Sequence, residues 1–406
     1  MNTTTFRRKS QILVIANIFA FGIQGVFALF MLHLFSPREI GEFSVISQIS
    51  AFWMVIALAQ TPWRMLTNKD LSTNQSAINS WIGSLYRALL LYPAIYIALY
   101  YSELDFWPSI LWASLITFFQ ITWLLTQSYI LQSGTEIQQA LLRILPPLSA
   151  LLLSAFGAYF GVELGWKGPT LISAAIIGYA IGAFWFIKVL TDQKYKEEIY
   201  STVRLPISNA DNRNTTLRML HSFTDALLLT LITTTWHRLY GTVETGLLMA
   251  ILRVVSFLPV LVWSAWTQIL ITRPTHHSTI KVLNFNITPW SVGVVATACI
   301  FLIGATCAVA VNGSFLNANW NGILPYIIPI SIWQATVCFS SAFSHRPFQT
   351  QNSIPYSWIC IFLNTIQILA LISPFILESK IEKINHIYLF CGIASLATAS
   401  LTIWLS

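Results

Sequence analysis

The sequence predicts an all-α polytopic membrane protein, with twelve transmembrane helices in two six-helix bundles related by a pseudo-two-fold axis along the membrane normal. Three observations predict it. The chain is 55% hydrophobic and only 9% charged, too few charges to cover the surface of a soluble protein of 406 residues. Apolar runs of about 20 residues, the length that crosses a bilayer, recur from one end to the other. Two stretches 205 positions apart also read alike: Leu34-Phe35-Ser36-Pro37-Arg38-Glu39-Ile40-Gly41 and Leu239-Tyr240-Gly241-Thr242-Val243-Glu244-Thr245-Gly246. Each closes one apolar run, turns over and opens the next, so the chain reads as two copies of one membrane unit. Two such halves facing each other are the usual frame of a transport pathway.

The predicted spans are 12–35, 43–66, 82–101, 107–131, 143–162, 170–190, 219–240, 246–270, 290–311, 323–344, 356–377 and 385–405. The first follows Arg7, Arg8 and Lys9, which resembles the start of a signal peptide. The run to Phe35 is too long for a signal core and no small-residue cleavage site follows, so it reads as a retained helix. The longest polar stretch, Thr191 to Arg218, falls between spans six and seven and divides the chain into a bundle at 1–190, a linker at 191–218 and a bundle at 219–406.

Orientation follows from the basic residues. With the N-terminus in the cytoplasm, the opposite side receives only Arg38, Lys167, Arg238, Lys380 and Lys383. Arg253 stays inside a span, and the remaining Lys and Arg residues fall on the cytoplasmic side. That bias expects twelve spans with both termini cytoplasmic. An even number of spans per half makes the repeat parallel. The net charge of +7 is this loop asymmetry and not a sign of nucleic acid. Tyr100, Tyr101, Trp107, Trp166 and Trp320 lie near predicted span ends, where interfacial anchors are expected. The cysteines Cys299, Cys307, Cys338, Cys360 and Cys391 lie in apolar runs, odd in number and at no ligand spacing, and read as small packing residues.

The turn Phe35-Ser36-Pro37-Arg38-Glu39-Ile40-Gly41-Glu42-Phe43 resembles the same place in O-antigen and capsule polysaccharide flippases, a family of the multidrug/oligosaccharidyl-lipid/polysaccharide exporter superfamily. Asp225, the stretch Leu239 to Gly246, and Ala250-Ile251-Leu252-Arg253 are similar to the start of that family's second half. The resemblance implies a substrate, an undecaprenyl pyrophosphate-linked oligosaccharide, moved between leaflets of a bacterial inner membrane by alternating access. It also implies membrane lipids as surroundings, and a polysaccharide polymerase and chain-length regulator as partners. No cofactor is expected beyond a coupling proton or sodium ion.

A sugar pyrophosphate cannot cross hydrocarbon, so polar residues within spans are the candidates. Asp225 lies about two turns into span seven, with His221 one turn earlier on the same face. The pair reads as an ion-coupling site, or as a structural carboxylate. Arg253 is the basic residue well inside a span, and guanidinium matches phosphate with two parallel hydrogen bonds. It reads as a substrate contact, or as a partner of Asp225 across about 10 Å of membrane depth. Arg64, Arg87 and Arg143 lie near the cytoplasmic side, where they would gather the entering pyrophosphate or anchor helices to lipid phosphates. Gln60 lies one turn before Arg64, and Asn17 and Gln24 share a face of span one. These amides suit sugar hydroxyls and equally suit helix–helix bonds. Pro62, Pro259, Pro329 and Pro374 are candidate bend points. Glu39 and Glu244 are expected to favour the positive ends of the helices they open.

Two rivals remain from the residues alone. A membrane glycosyltransferase or polymerase would handle the same lipid-linked sugars, but no paired-carboxylate or nucleotide-phosphate motif is present. A cation-coupled drug or metabolite antiporter would share the fold, with acidic residues suited to organic cations.

Overall fold

A computed structural model describes residues 3–62, 65, 73–164, 167–187, 212–267, 270, 280–282, 285–313, 318–349, 353–376 and 382–406. The described chain is almost entirely helical. In order run α1 (Thr3–Leu34), α2 (Pro37–Leu58), α3 (Thr73–Leu90), α4 (Tyr92–Tyr101), α5 (Phe106–Ser133), α6 (Glu136–Leu164) and α7 (Lys167–Ala183). Then come α8 (Asn212–Leu261), a π-helical turn Val262–Thr267, α9 (Pro289–Asn312), a 3-10 turn Ala318–Ile323, α10 (Leu324–Phe343), α11 (Arg346–Gln349), α12 (Ser353–Ile376) and α13 (Lys383–Leu405). One antiparallel hairpin pairs Ile280–Val282 with Phe285–Ile287, setting Lys281 opposite Asn286.

The described part of each predicted span is mostly helix, with turns at Ala59–Gln60, Leu91 and 184–185. Among the described residues, eight helical stretches are long and apolar enough to cross a membrane, and nine if α3 and α4, bent by 49°, form one broken span. Gly22–Leu34 and Pro169–Ala183 are shorter apolar helices. The stretch Thr216–Leu261 counts once but carries predicted spans seven and eight. They meet at Gly241, whose φ of 86° lies in the left-handed region open to glycine.

Helix starts run ahead of the hydropathy. The second helix begins at Pro37 and not near 43, and α6 begins at Glu136 and not at 143. Polar first turns are helical but not apolar, so a hydropathy window misses them. Two residues change place as a result. Arg143, expected to open its span, lies two turns into α6. Arg253 lies about 17 Å along the helix that resumes at Thr242, deeper than the 10 Å expected from a start at 246.

The chain forms two compact units, one of Met1–Gln24 with Glu42–Thr230, the other of Gly25–Gly41 with Leu231–Ser406. In the first, α5 packs on α3 and on α7, and α6 packs on α7. In the second, α10 packs on α9 and on α13, and α12 packs on α13. Numbered as predicted spans, the first set is 3 with 4, 4 with 6 and 5 with 6, and the second is the same set six spans later. Trp53 is buried in the first unit and donates to the Ala88 carbonyl at 2.8 Å, and Trp266 is buried in the second and donates to that of Ala342 at 3.1 Å. Both are packing residues. Tyr100 and Trp107 are exposed as anchors should be, whereas Trp320, expected among them, is fully buried in its 3-10 turn. Trp166 lies outside the described residues. None of the five cysteines is in a disulfide, and four of them are buried.

Candidate functional site

The two similar turns are built differently. After α1, Ser36 and Glu39 form a reciprocal cap on α2. The Ser36 N–H donates to Glu39 Oε2 at 2.7 Å, and the Glu39 N–H donates to Ser36 Oγ at 3.4 Å. In the second copy Gly241 stands where Ser36 stands in the first, so Glu244 has no hydroxyl at that position to exchange with. Its carboxylate accepts from Tyr326 Oη at 2.7 Å and pairs with Lys383 Nζ. The expectation that Glu244 serves its own helix end is therefore corrected: it joins α8 to α10 and α13.

Behind Glu244 lies an aromatic network that the sequence did not reveal. Trp236 donates to Tyr326 Oη at 3.3 Å and stacks on His386 at 5.1 Å between ring centres. The Leu371 carbonyl can only accept, so His386 Nε2–H donates to it at 3.0 Å, and Nδ1 accepts from Tyr240 Oη at 3.0 Å. The one available signal was the missing hydroxyl at Gly241, which leaves a carboxylate in need of other partners.

The two turns also touch reciprocally. A Cβ on Gly41 would overlap the Thr242 carbonyl oxygen, and a Cβ on Gly246 would overlap that of Pro37. Thr242 stands 205 positions after Pro37, as Gly246 does after Gly41, so each copy offers the same glycine to the same backbone atom of the other.

Arg253 is half-buried on α8 among buried Ala250, Ile251, Leu252, Val254 and Val255, with Nη1 3.7 Å from Met31 Sδ. A thioether is a weak acceptor for a guanidinium. One turn further, Phe257 packs against Gly25.

At the opposite end of α2 a second cluster forms. Ala59 and Gln60 both have left-handed φ, 45° and 62°. Arg87 on α3 spans the break. Its Nε donates to the Ala57 carbonyl at 2.6 Å, and its Nη2 to the Leu58 carbonyl, Thr61 Oγ1 and Ser84 Oγ at 3.3, 2.8 and 3.0 Å. Gln60 Nε2 donates to Ser222 Oγ at 2.8 Å. Next to Ser222, His221 Nε2 lies 3.3 Å from Asp225 Oδ2, with 54% of the aspartate side chain accessible against 20% of the histidine. Phe52 on Phe223 and Thr230 on the Gln48 carbonyl continue the contact between α2 and α8.

The structure thus brings Gln60, Arg87, His221 and Asp225 into one neighbourhood. Arg143 sits apart, half-buried on α6, and Gln24 is exposed on α1. Asn17 lies on α1 but its side chain is outside the described residues, as is all of Arg64. Among the described residues no group of three or more His, Cys, Asp or Glu side chains is arranged to hold a metal ion.

No protein-family model matches the chain, and no curated protein matches it by sequence. Solved structures do. Lipid II flippase MurJ in an inward closed conformation aligns with 97% of this chain and 86% of its own, at TM-score 0.61 and 14% identity. An inward-facing multidrug resistance MATE family transporter of the MOP superfamily aligns with 100% and 94%, at 0.52 and 11%. The MATE multidrug transporter DinF-BH aligns with 99% and 95%, at 0.52 and 15%. At these identities the likeness is one of fold, and with the apolar helices it makes this chain a multi-pass membrane protein with the fold of the MOP-superfamily transporters.

Proposed function

We propose that the protein is a flippase that moves an undecaprenyl pyrophosphate-linked oligosaccharide, an O-antigen or capsule repeat unit, from the cytoplasmic to the periplasmic leaflet of a bacterial inner membrane by alternating access. The observation that carries the reading is Arg253. A permanent cation about 17 Å along an apolar helix is rare and marks a substrate or ion pathway where it occurs. A pyrophosphate offers the bidentate acceptors that guanidinium takes best. The MurJ likeness supports a lipid-linked substrate. The repeated helix pairings and the reciprocal glycines support two related bundles of six spans. The basic residues support cytoplasmic termini. A polymerase and a chain-length regulator are the expected partners, and the transporter likeness favours transport over catalysis.

Deleting the gene and analysing lipid-linked sugars by leaflet tests the reading. The repeat unit should accumulate on the cytoplasmic side, and an unchanged surface glycan would refute it. Within the site, Arg253→Ala should lose surface glycan while membrane insertion stays intact, and Arg253→Lys should retain part of it. Full glycan from both removes Arg253 as a substrate contact.

A second reading, a cation-coupled drug or metabolite antiporter, is favoured by the accessible Asp225 beside His221. In that case deletion raises sensitivity to cationic dyes and leaves the glycan alone. In the flippase reading the same pair is the candidate proton or sodium site.

A further inference from the structure

We infer that Arg87 is a positioning residue: it clamps the break that ends α2 so that Gln60 holds its amide on Ser222, beside the His221–Asp225 pair, and ties that pair to the end of α2. The inference rests on the transport reading for its consequence, but its geometry stands alone.

The break is written into the chemistry of Pro62. A continuous helix would give the Leu58 carbonyl the N–H of residue 62, and proline has none. The Leu58 carbonyl is served instead by Thr61 Oγ1 and by Arg87 Nη2, and the Ala57 carbonyl by Arg87 Nε. Two consecutive non-glycine residues, Ala59 and Gln60, are then held in the left-handed region. Such backbone persists only where its surroundings over-determine it, and it gathers at functional sites. The guanidinium supplies that constraint, with one flat group reaching two carbonyls and two hydroxyls on α2, α3 and the break. A lysine ammonium has three donors but no fork to span them.

The strained turn has a product. Left-handed φ at Gln60 accompanies a side chain laid on Ser222, which neighbours His221 and lies three residues before Asp225. If Ala59 and Gln60 relaxed to helical dihedrals, that amide would swing off α8. The contact of Gln60 with Ser222, beside the His221–Asp225 pair, therefore depends on the left-handed backbone that Arg87 holds.

Two arms test this on the full chain. The first needs no substrate: unfolding midpoints in detergent micelles. Arg87→Ala should lower the midpoint by several degrees. Ala59→Gly in the same chain should recover most of the loss, because glycine adopts left-handed φ without a Cβ penalty. If instead Ala59→Gly leaves the loss in full, the clamp is refuted. The second arm measures flipping of lipid-linked sugar in proteoliposomes. Arg87→Ala and Gln60→Ala should each cut turnover about tenfold, the factor matching relief of one strained residue, with KM unchanged. The double variant should be no worse than either, and Arg87→Ala with Ala59→Gly should regain turnover. A raised KM, or lost turnover despite a recovered midpoint, would mean that Arg87 touches the substrate and overturns the inference. If the unaltered protein moves no lipid-linked sugar, the transport reading fails, and the unfolding arm still decides the clamp.

Discussion

His345 closes α10 just beyond the membrane-spanning stretch, fully buried, with Nδ1–H on the Ala342 carbonyl at 3.1 Å and no hydrogen-bond partner at Nε2 among the described residues. Burial pushes its pKa from 6.5 down to about 4. The Ala342 bond pulls upward, and neighbouring Arg346 pushes further down. The folded value lies below the unfolded one, so the unfolded chain takes the proton first. Stability is therefore full above about pH 6.5 and falls as pH drops towards 4. Unfolding midpoints in micelles should fall between about pH 7 and pH 5, and fall less in His345→Gln, which carries no titrating ring. Parallel curves for the two proteins would show that His345 does not titrate on unfolding. At this scale the sequence was only partly legible. It marked Arg87 as a cation near a span end, but not the carbonyls 29 and 30 residues away that it serves. It placed His221 with Asp225 correctly, because one helical turn relates them. Spacing shows neighbours along a helix, whereas partners across helices leave no local trace.

The two similar turns use their glutamates differently. Ser36 and Glu39 close a cap, so Ser36→Ala should cost about 1 kcal/mol of stability. Gly241 stands in open space with φ of 86° and ψ of 176°, a backbone essentially open to glycine alone, so Gly241→Ala meets no neighbour but should cost about 1–3 kcal/mol in backbone strain. Glu244 should behave unlike Glu39. Glu244→Gln keeps an acceptor for Tyr326 and loses only the part-exposed Lys383 pair, a small effect. Glu244→Ala leaves the phenol of Tyr326 without that acceptor in a buried position, at about 1–3 kcal/mol. Midpoints of the four variants check the order, and equal losses from Gln and Ala at 244 would remove Tyr326 from the explanation. The repeat itself was legible because turn chemistry is local. The use of Glu244 was not, because its partners lie 82 and 139 residues further on.

Across the whole molecule, hydropathy located the spans because a bilayer demands long apolar runs, and it misjudged their starts because a polar helical turn reads like a loop. The division into halves at the polar linker was equally a reading of composition. The compact units instead take the end of α1 with Leu231–Ser406, and the start of α8 with Glu42–Thr230, an exchange that only packing reveals. The reciprocal glycines offer the strongest whole-molecule test of the repeat. Each Cβ would meet a backbone carbonyl, and backbone on both sides cannot turn aside as a flexible side chain does. Overpacking of this kind costs about 1–3 kcal/mol or more. Gly41→Ala and Gly246→Ala should therefore lower the midpoint by similar amounts. Because the two contacts belong to one pair of turns, the double variant should lose less than the sum, since the first displacement makes room for the second. Unequal single losses with full additivity would show two unrelated contacts. Equal, sub-additive losses would show that the two similar turns share one close backbone approach.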